Sequence, residues 1–223
     1  RQMCIRDRLR TPLTSMKASA ESLESGIVDP KIASKFLRQI SDDVDHMNHI
    51  VSDLLELSRM DTGQISLNLT EVNVKDFVSM ALERHLVPAK AKNISLGTDI
   101  PPNLPAITID TRRFLQVIQN LLDNAIKFTP QNGRVTINSN HDASSVEISV
   151  VDSGIGIAQK DRPHIFERFY KADRSRHEKG IGLGLAIAKH IVQLHDGEIS
   201  LDINEPTGSI FTITLPIHAA YIS

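Results

Sequence analysis

Between Asp110 and Pro130 the chain reads DTRRFLQVIQNLLDNAIKFTP, and this stretch limits the fold more than any other. Phe114, Ile118, Leu121, Leu122 and Ala125 recur at the spacing of a helix with one apolar face. Asp110 or Thr111 suits the N-cap, and Pro130 stops the run. Such a helix must lie on a second layer that covers its apolar face. A different face carries Asn120, Asn124 and Lys127 at i, i+4 and i+7, one line along the surface. An amide oxygen is a hard donor that suits Mg²⁺, and a lysine is a point charge for phosphate. A merely solvated face would look the same from this stretch alone, so both readings stand until the rest of the chain is read.

Upstream, Leu9, Leu13, Met16, Ala20, Leu23 and Ile27 alternate by four and three residues, a heptad seam. Gly26 and Asp29-Pro30 break it, with Asp29 suited to cap a second helix whose first position is Pro30. Leu37, Ile40, Val44, Met47, Val51 and Leu54 continue the seam, flanked by Phe36, Ile50 and Leu57. The pattern predicts an antiparallel helical hairpin over residues 1–62. One hairpin buries too little to be stable alone, so the expected solution is a homodimeric four-helix bundle. A monomeric hairpin packed on the rest of the chain is the alternative. Asp7, Thr11 and Thr14 fall off the seam on one exposed face, and Pro12 should bend the helix beside them.

Residues 63–223 read differently. Strands are predicted over 64–70, 94–100, 135–139, 146–152, 198–203 and 209–215, and helices over 74–91, 162–170 and 181–194 besides the central one. The expected class is therefore α+β: a helical hairpin followed by a two-layer α/β sandwich. Hydrophobic content of 40% and charged content of 23% fit a soluble globular protein. A formal net charge of -2 shows no nucleic-acid footprint. The single cysteine, Cys4, excludes an internal disulfide framework. No apolar run reaches the roughly 18–20 residues of a membrane segment. The chain opens on Arg1, and reads as a fragment of a longer protein.

Two glycine clusters suggest what the sandwich holds. A strand ending in Asp152 runs into Ser153-Gly154-Ile155-Gly156. A carboxylate at a strand end can accept a hydrogen bond from an exocyclic amine such as that of adenine, and the glycines let backbone approach a flat ligand. Gly180-Ile181-Gly182-Leu183-Gly184 opens a helix, where backbone N–H groups form a phosphate site. The order Asn120…Asn124…Lys127, then DSGIG, then GIGLGL, then Thr207-Gly208-Ser209 resembles the Bergerat-type ATP-binding fold, in its sensor histidine kinase branch. NLLDNAIKFTP is similar to the N box, DSGIG to the first glycine box, IFERFY at 165–170 to the F box, and GIGLGLAIAKHIVQLHDG to the second glycine box. Leu9-Arg10-Thr11-Pro12-Leu13-Thr14 resembles the end of the H box, and Asp53-Leu54-Leu55-Glu56-Leu57-Ser58-Arg59 the X region. The resemblance covers nearly all of residues 9–215.

The resemblance implies that the chain binds ATP with Mg²⁺ and transfers the γ-phosphoryl to a histidine, whence it passes to a response-regulator receiver domain. By position, Asn124 is the Mg²⁺ ligand, and Asn120 and Lys127 contact phosphate or metal. Asp152 takes the adenine amine, while Gly154 and Gly156 line the base. Arg168, Tyr170 and Lys171 lie beside the phosphates, and Gly182, Leu183, Gly184 and Ser209 complete the site. His164, His177, His190 and His195 read as solvated or packing residues. The implied parent is anchored in the inner (plasma) membrane, with this chain as its cytoplasmic portion. ATPases of the same fold carry a glutamate where this chain has Asn120; an amide takes no proton, which favours transfer to a protein nucleophile over hydrolysis. One departure matters. The H box has a histidine and an acidic residue before Leu9, and here those positions are Asp7 and Arg8. His46 and His49, on the second helix, do not replace the acceptor. Residues 1–8 match the family poorly, which fits either a degenerate kinase or a foreign junction. Thr11, four residues on, is retained at the position that the family uses in dephosphorylating the regulator.

Overall fold

In this computed structural model, residues 2–24, 29–61, 66–172 and 182–217 are described, with backbone alone for 2–9, 46, 49, 53, 56, 57 and 59–61. Helix α1 (Gln2–Glu24) and helix α2 (Pro30–Asp61) form the hairpin. Asp29 Oδ1 accepts from Lys31 N at 2.8 Å, capping α2 as its sequence predicts. Helix α1 passes through Pro12, whose side is buried rather than open to solvent. The single seam expected on α2 separates into two stripes. Phe36, Ile40, Asp43, Met47, Ile50 and Leu54 are buried or half-buried, whereas Leu37, Val44, Val51 and Leu55 are 43–59% exposed. On α1, Leu13 is likewise 51% exposed. A hairpin has only one inner side, so a heptad pattern wide enough for two contacts leaves one of them open.

The α/β part is built on a five-stranded sheet in the order β2-β4-β5-β7-β6: Ser95–Asp99, Arg134–His141, Ser145–Asp152, Ser209–Pro216 and Glu198–Ile203. Strands β2 and β4 run parallel, and the other neighbours are antiparallel. In β4, β5 and β7 one parity of side chains is buried and the other is mostly half-buried, so a single face takes the helices. Those helices are α3 (Val74–Glu83), α4 (Leu86–Ala91), α5 (Thr111–Phe128) and α6 (Gly184–Leu194). Helix α5 puts Phe114, Val117, Ile118, Leu121 and Leu122 in the core with no exposure, facing Ile187, Ile191 and Val192 of α6. Each such side chain contributes about 1.5–3 kcal/mol. Phe114 meets Phe77 at 5.8 Å and the His195 ring edge-on at 5.5 Å. Ile50 of α2 joins the same core, where α2 packs on α6.

Four expectations are corrected. The strand expected over 64–70 is confined to β1 (Thr70–Val72), which pairs antiparallel with a three-residue strand, β3 (Ile107–Ile109). Only three partners exist for it; Leu69 is exposed, and 64 and 65 lie outside the described residues. The helix expected over 74–91 breaks at Arg84 and His85. Pro88 lacks an N–H and its ring would meet the carbonyl four residues back, at Arg84. The helix expected over 162–170 is one 3-10 turn, Arg162–His164, because Phe169 takes φ 67 and donates its N–H to Gly182 O at 2.9 Å. The helix expected from 181 starts at Gly184, since Gly182 has φ 75. Gly180, Ile181 and His177 lie outside the described residues.

Candidate active site

Helix α5 owes its start to Asp110, not Thr111. Asp110 Oδ1 accepts from Arg113 N at 3.0 Å, and its Oδ2 accepts from Asn68 N at 3.1 Å. Three turns on, the line of polar side chains emerges at the edge of the core, with Asn120, Asn124 and Lys127 all half-buried. Asn120 Nδ2 donates to Gly184 O at 3.1 Å, so the central helix is tied directly to the second glycine cluster. A Cβ on Gly184 would stand 3.3 Å from Asn120 Oδ1, a spacing that keeps the two elements close. Leu183 is buried beneath them. Lys127 Nζ lies 5.2 Å from the Phe128 ring centroid.

The first glycine cluster is held from the other side. Asp152 ends β5 and is 5% exposed. Its Oδ1 accepts from Gly154 N at 2.7 Å and from Ser209 N at 3.2 Å. Burial pushes its carboxyl above the usual carboxylate range, and those N–H donors oppose the push. Ile155 N donates to Phe128 O at 3.2 Å, which joins this loop to the end of α5. Gly156, at φ 66, packs on Gly208. An open cleft of about 520 Å³ lies at this junction, lined in part by Lys92, Lys127, Phe128 and Ile155; Asn120, Asn124 and Asp152 do not line it.

The structure thus brings Asn120 to Gly184, Asp152 to Gly154 and Ser209, and Gly156 to the Gly208 turn. Other expected residues are less directly engaged. Tyr170 Oη donates to Asp161 Oδ1 at 2.6 Å. Arg168 is exposed and Lys171 half-buried. Thr11 is exposed on α1; Asp7 lies on the same helix, and its side chain is outside the described residues. His195 is a packing residue as expected, with Nε2 accepting from Asp110 N at 2.9 Å and Nδ1 donating to Ile191 O at 2.7 Å. Two residues escape sequence reasoning. Lys92 Nζ donates to Ile126 O and Lys127 O at 2.9 and 2.8 Å, capping the end of α5. Asn204 Nδ2 donates to Asp152 O at 2.8 Å. Neither sits in a motif, though Asn204 opens the turn that leads to Gly208.

The chain is similar to known proteins over most of its length. Residues 5–63 match the model of the His Kinase A (phospho-acceptor) domain, and residues 109–219 that of the histidine kinase-, DNA gyrase B-, and HSP90-like ATPase. The sensor-like histidine kinase SenX3 of Mycobacterium tuberculosis is 38% identical over 210 residues, covering 93% of this chain and 51% of SenX3. Among solved structures, histidine kinase ThkA in complex with the response regulator protein TrrA superposes with a TM-score of 0.78 at 25% identity, over 95% of this chain and 59% of that one. Full-length ShkA in complex with AMPPNP gives 0.74 at 29% identity, over 93% and 43%. The chain belongs to the sensor histidine kinases of two-component systems, and carries their helical and ATP-binding core. It spans about half the length of the curated relatives it matches. Among the described residues no helix is long and apolar enough to cross a membrane.

Proposed function

We propose that residues 63–223 bind ATP as its magnesium complex and that residues 1–62 form the dimerising hairpin that receives the γ-phosphoryl group in an intact kinase. The observation that carries the reading is the convergence of one helix and two glycine loops: Asn120 on Gly184, and Asp152 on Gly154 and Ser209. The donor set fits Mg²⁺. The amide oxygen of Asn124 is a hard donor of the kind Mg²⁺ takes, and such an ion would keep phosphate and water ligands besides. Bound magnesium would neutralise charge on the transferring phosphoryl group. Asn120 and Lys127 hold the phosphates, and Gly154 and Gly156 let the base approach the backbone. Arg168, Tyr170, Lys171, Gly182, Leu183 and Gly184 flank the polyphosphate, while Ser209 holds Asp152. The open stripe of Leu13, Leu37, Val44 and Val51 supports a homodimer, and the ThkA–TrrA complex supports a receiver domain as the partner. We place the chain as the cytoplasmic core of a membrane-anchored sensor.

Position 7 decides whether this chain can label itself. A carboxylate there would yield an acyl phosphate, where a histidine yields an N–P bond. With γ-labelled ATP and Mg²⁺, the chain as written is expected to take up no acid-labile phosphate, and an Asp7→His, Arg8→Glu variant to take it up. If neither is labelled while ATP binds, the kinase reading fails and a silent, dimerising partner replaces it. A second reading is favoured by the exposure of Thr11 one helical turn after Asp7. In that reading the chain removes phosphate from a regulator, and Thr11→Ala abolishes the loss of label from a phosphorylated receiver domain.

A further inference from the structure

We infer that Asn204 is a positioning residue for base recognition, setting the Asp152 carboxylate from outside every recognised motif. The inference rests on the nucleotide reading above. Asn204 follows β6 and lies 52 residues from Asp152 in sequence, yet its Nδ2 donates to the Asp152 main-chain oxygen at 2.8 Å. Its own N–H reaches Gly208 O at 3.3 Å, closing the turn over that contact. Gly208, at φ 134, lies so close to the Asp152 carbonyl that no Cβ could be accommodated there.

The peptide that Asn204 grips is the one that leads into the glycine loop. Asp152 contributes its carbonyl, and the chain then passes through Ser153, whose N–H donates to Arg134 O at 3.0 Å. Next comes Gly154, whose N–H donates to Asp152 Oδ1 at 2.7 Å. Asn204 and Arg134 therefore hold the two ends of the Asp152–Ser153 peptide, the unit immediately before the one that carries the Gly154 N–H, and that N–H, with Ser209 N, fixes the plane of the carboxylate. Hydrogen bonds weaken steeply once their angle is lost. A ligand amine in that plane gains a well-aligned acceptor, and an analogue without it forgoes that hydrogen bond. Loss of Asn204 should thus be felt by ligands that carry the amine, and not by those that lack it.

The test measures binding of two magnesium triphosphates, ATP and purine riboside triphosphate, which lacks the 6-amino group. The whole chain is compared with Asn204→Ala and Asn204→Leu; the second keeps the approximate side-chain shape and removes the donor without adding a charge. ATP affinity is expected to fall about tenfold in both variants, the size of one hydrogen bond, with the analogue unchanged. An equal loss for both nucleotides, or an undiminished preference for ATP, overturns the role of Asn204. A wild-type chain that binds both nucleotides equally overturns the amine reading of Asp152, and one that binds neither overturns the nucleotide site itself.

Discussion

Gly154 sits where a methyl group has no room: a Cβ would stand 2.8 Å from Phe128 O and 2.6 Å from Asp152 Oδ1. Neither neighbour can retreat, since Phe128 O accepts from Ile155 N and Asp152 Oδ1 from Gly154 itself. Gly154→Ala should cost about 1–3 kcal/mol by overpacking. It should lower both the melting temperature and nucleotide affinity; thermal unfolding with and without Mg-ATP reads the two together. His85 is a second residue whose surroundings define its state. Its Nδ1 lies 3.0 Å from Ala81 O and its Nε2 3.1 Å from Asp123 Oδ1, both acceptors, so the imidazolium, with a proton on each ring nitrogen, is the form that satisfies both contacts. The bond to Asp123 raises its pKa above the ordinary 6.5 against the opposing effect of burial. A raised histidine gives stability that is fully present below 6.5 and is lost as pH climbs through the folded value. Wild type should therefore lose melting temperature between pH 6.5 and that higher value, and Asp123→Asn should flatten the decline. Identical slopes in the two proteins would remove His85 as the cause.

At the scale of elements, Asp110 joins three of them. It caps α5, accepts from Asn68 in the segment before β1, and gives its own N–H to His195 at the end of α6. Burial alone would raise its pKa, but the N–H donors of Arg113 and Asn68 and the nearby arginines outweigh burial and lower it. Asp110→Ala should cost about 1–2 kcal/mol for the lost cap, and more for the Asn68 N–H left unpaired. Asp110→Asn keeps a capping oxygen and should recover most of the cap. Urea titration of the three proteins gives the ranking. Element identity was largely legible: the cap and stop of α5, the Asp29-Pro30 start of α2, and β4 to β7 all follow from local pattern. The break at His85 and the short turn after Arg162 were not. In the first a single proline outweighs helical periodicity, and in the second a contact with distant Gly182 holds Phe169 at positive φ.

For the whole molecule, the open stripe on α2 is the feature that a single chain leaves unexplained. Val44 and Val51 stand 43% and 46% exposed along a helix whose opposite stripe is buried. Val44→Glu should turn a dimer into a monomer in sedimentation velocity, without shifting the unfolding of the α/β part. A variant that still dimerises would place the interface elsewhere.

By itself the sequence determined the class of this protein, because heptad spacing, strand alternation and glycine at tight turns are local requirements that each residue meets alone. The place of Asp152 at the end of β5 and the tight turns at the glycine clusters were legible for the same reason: they show in residue type and order. The tertiary structure decided which half of the heptad stripe stays open, that Lys92 caps α5, and that Asn204 reaches Asp152. Those contacts join residues far apart in the chain, and no short-range periodicity records a hydrogen bond that only the packing of the sheet and its helices brings within reach.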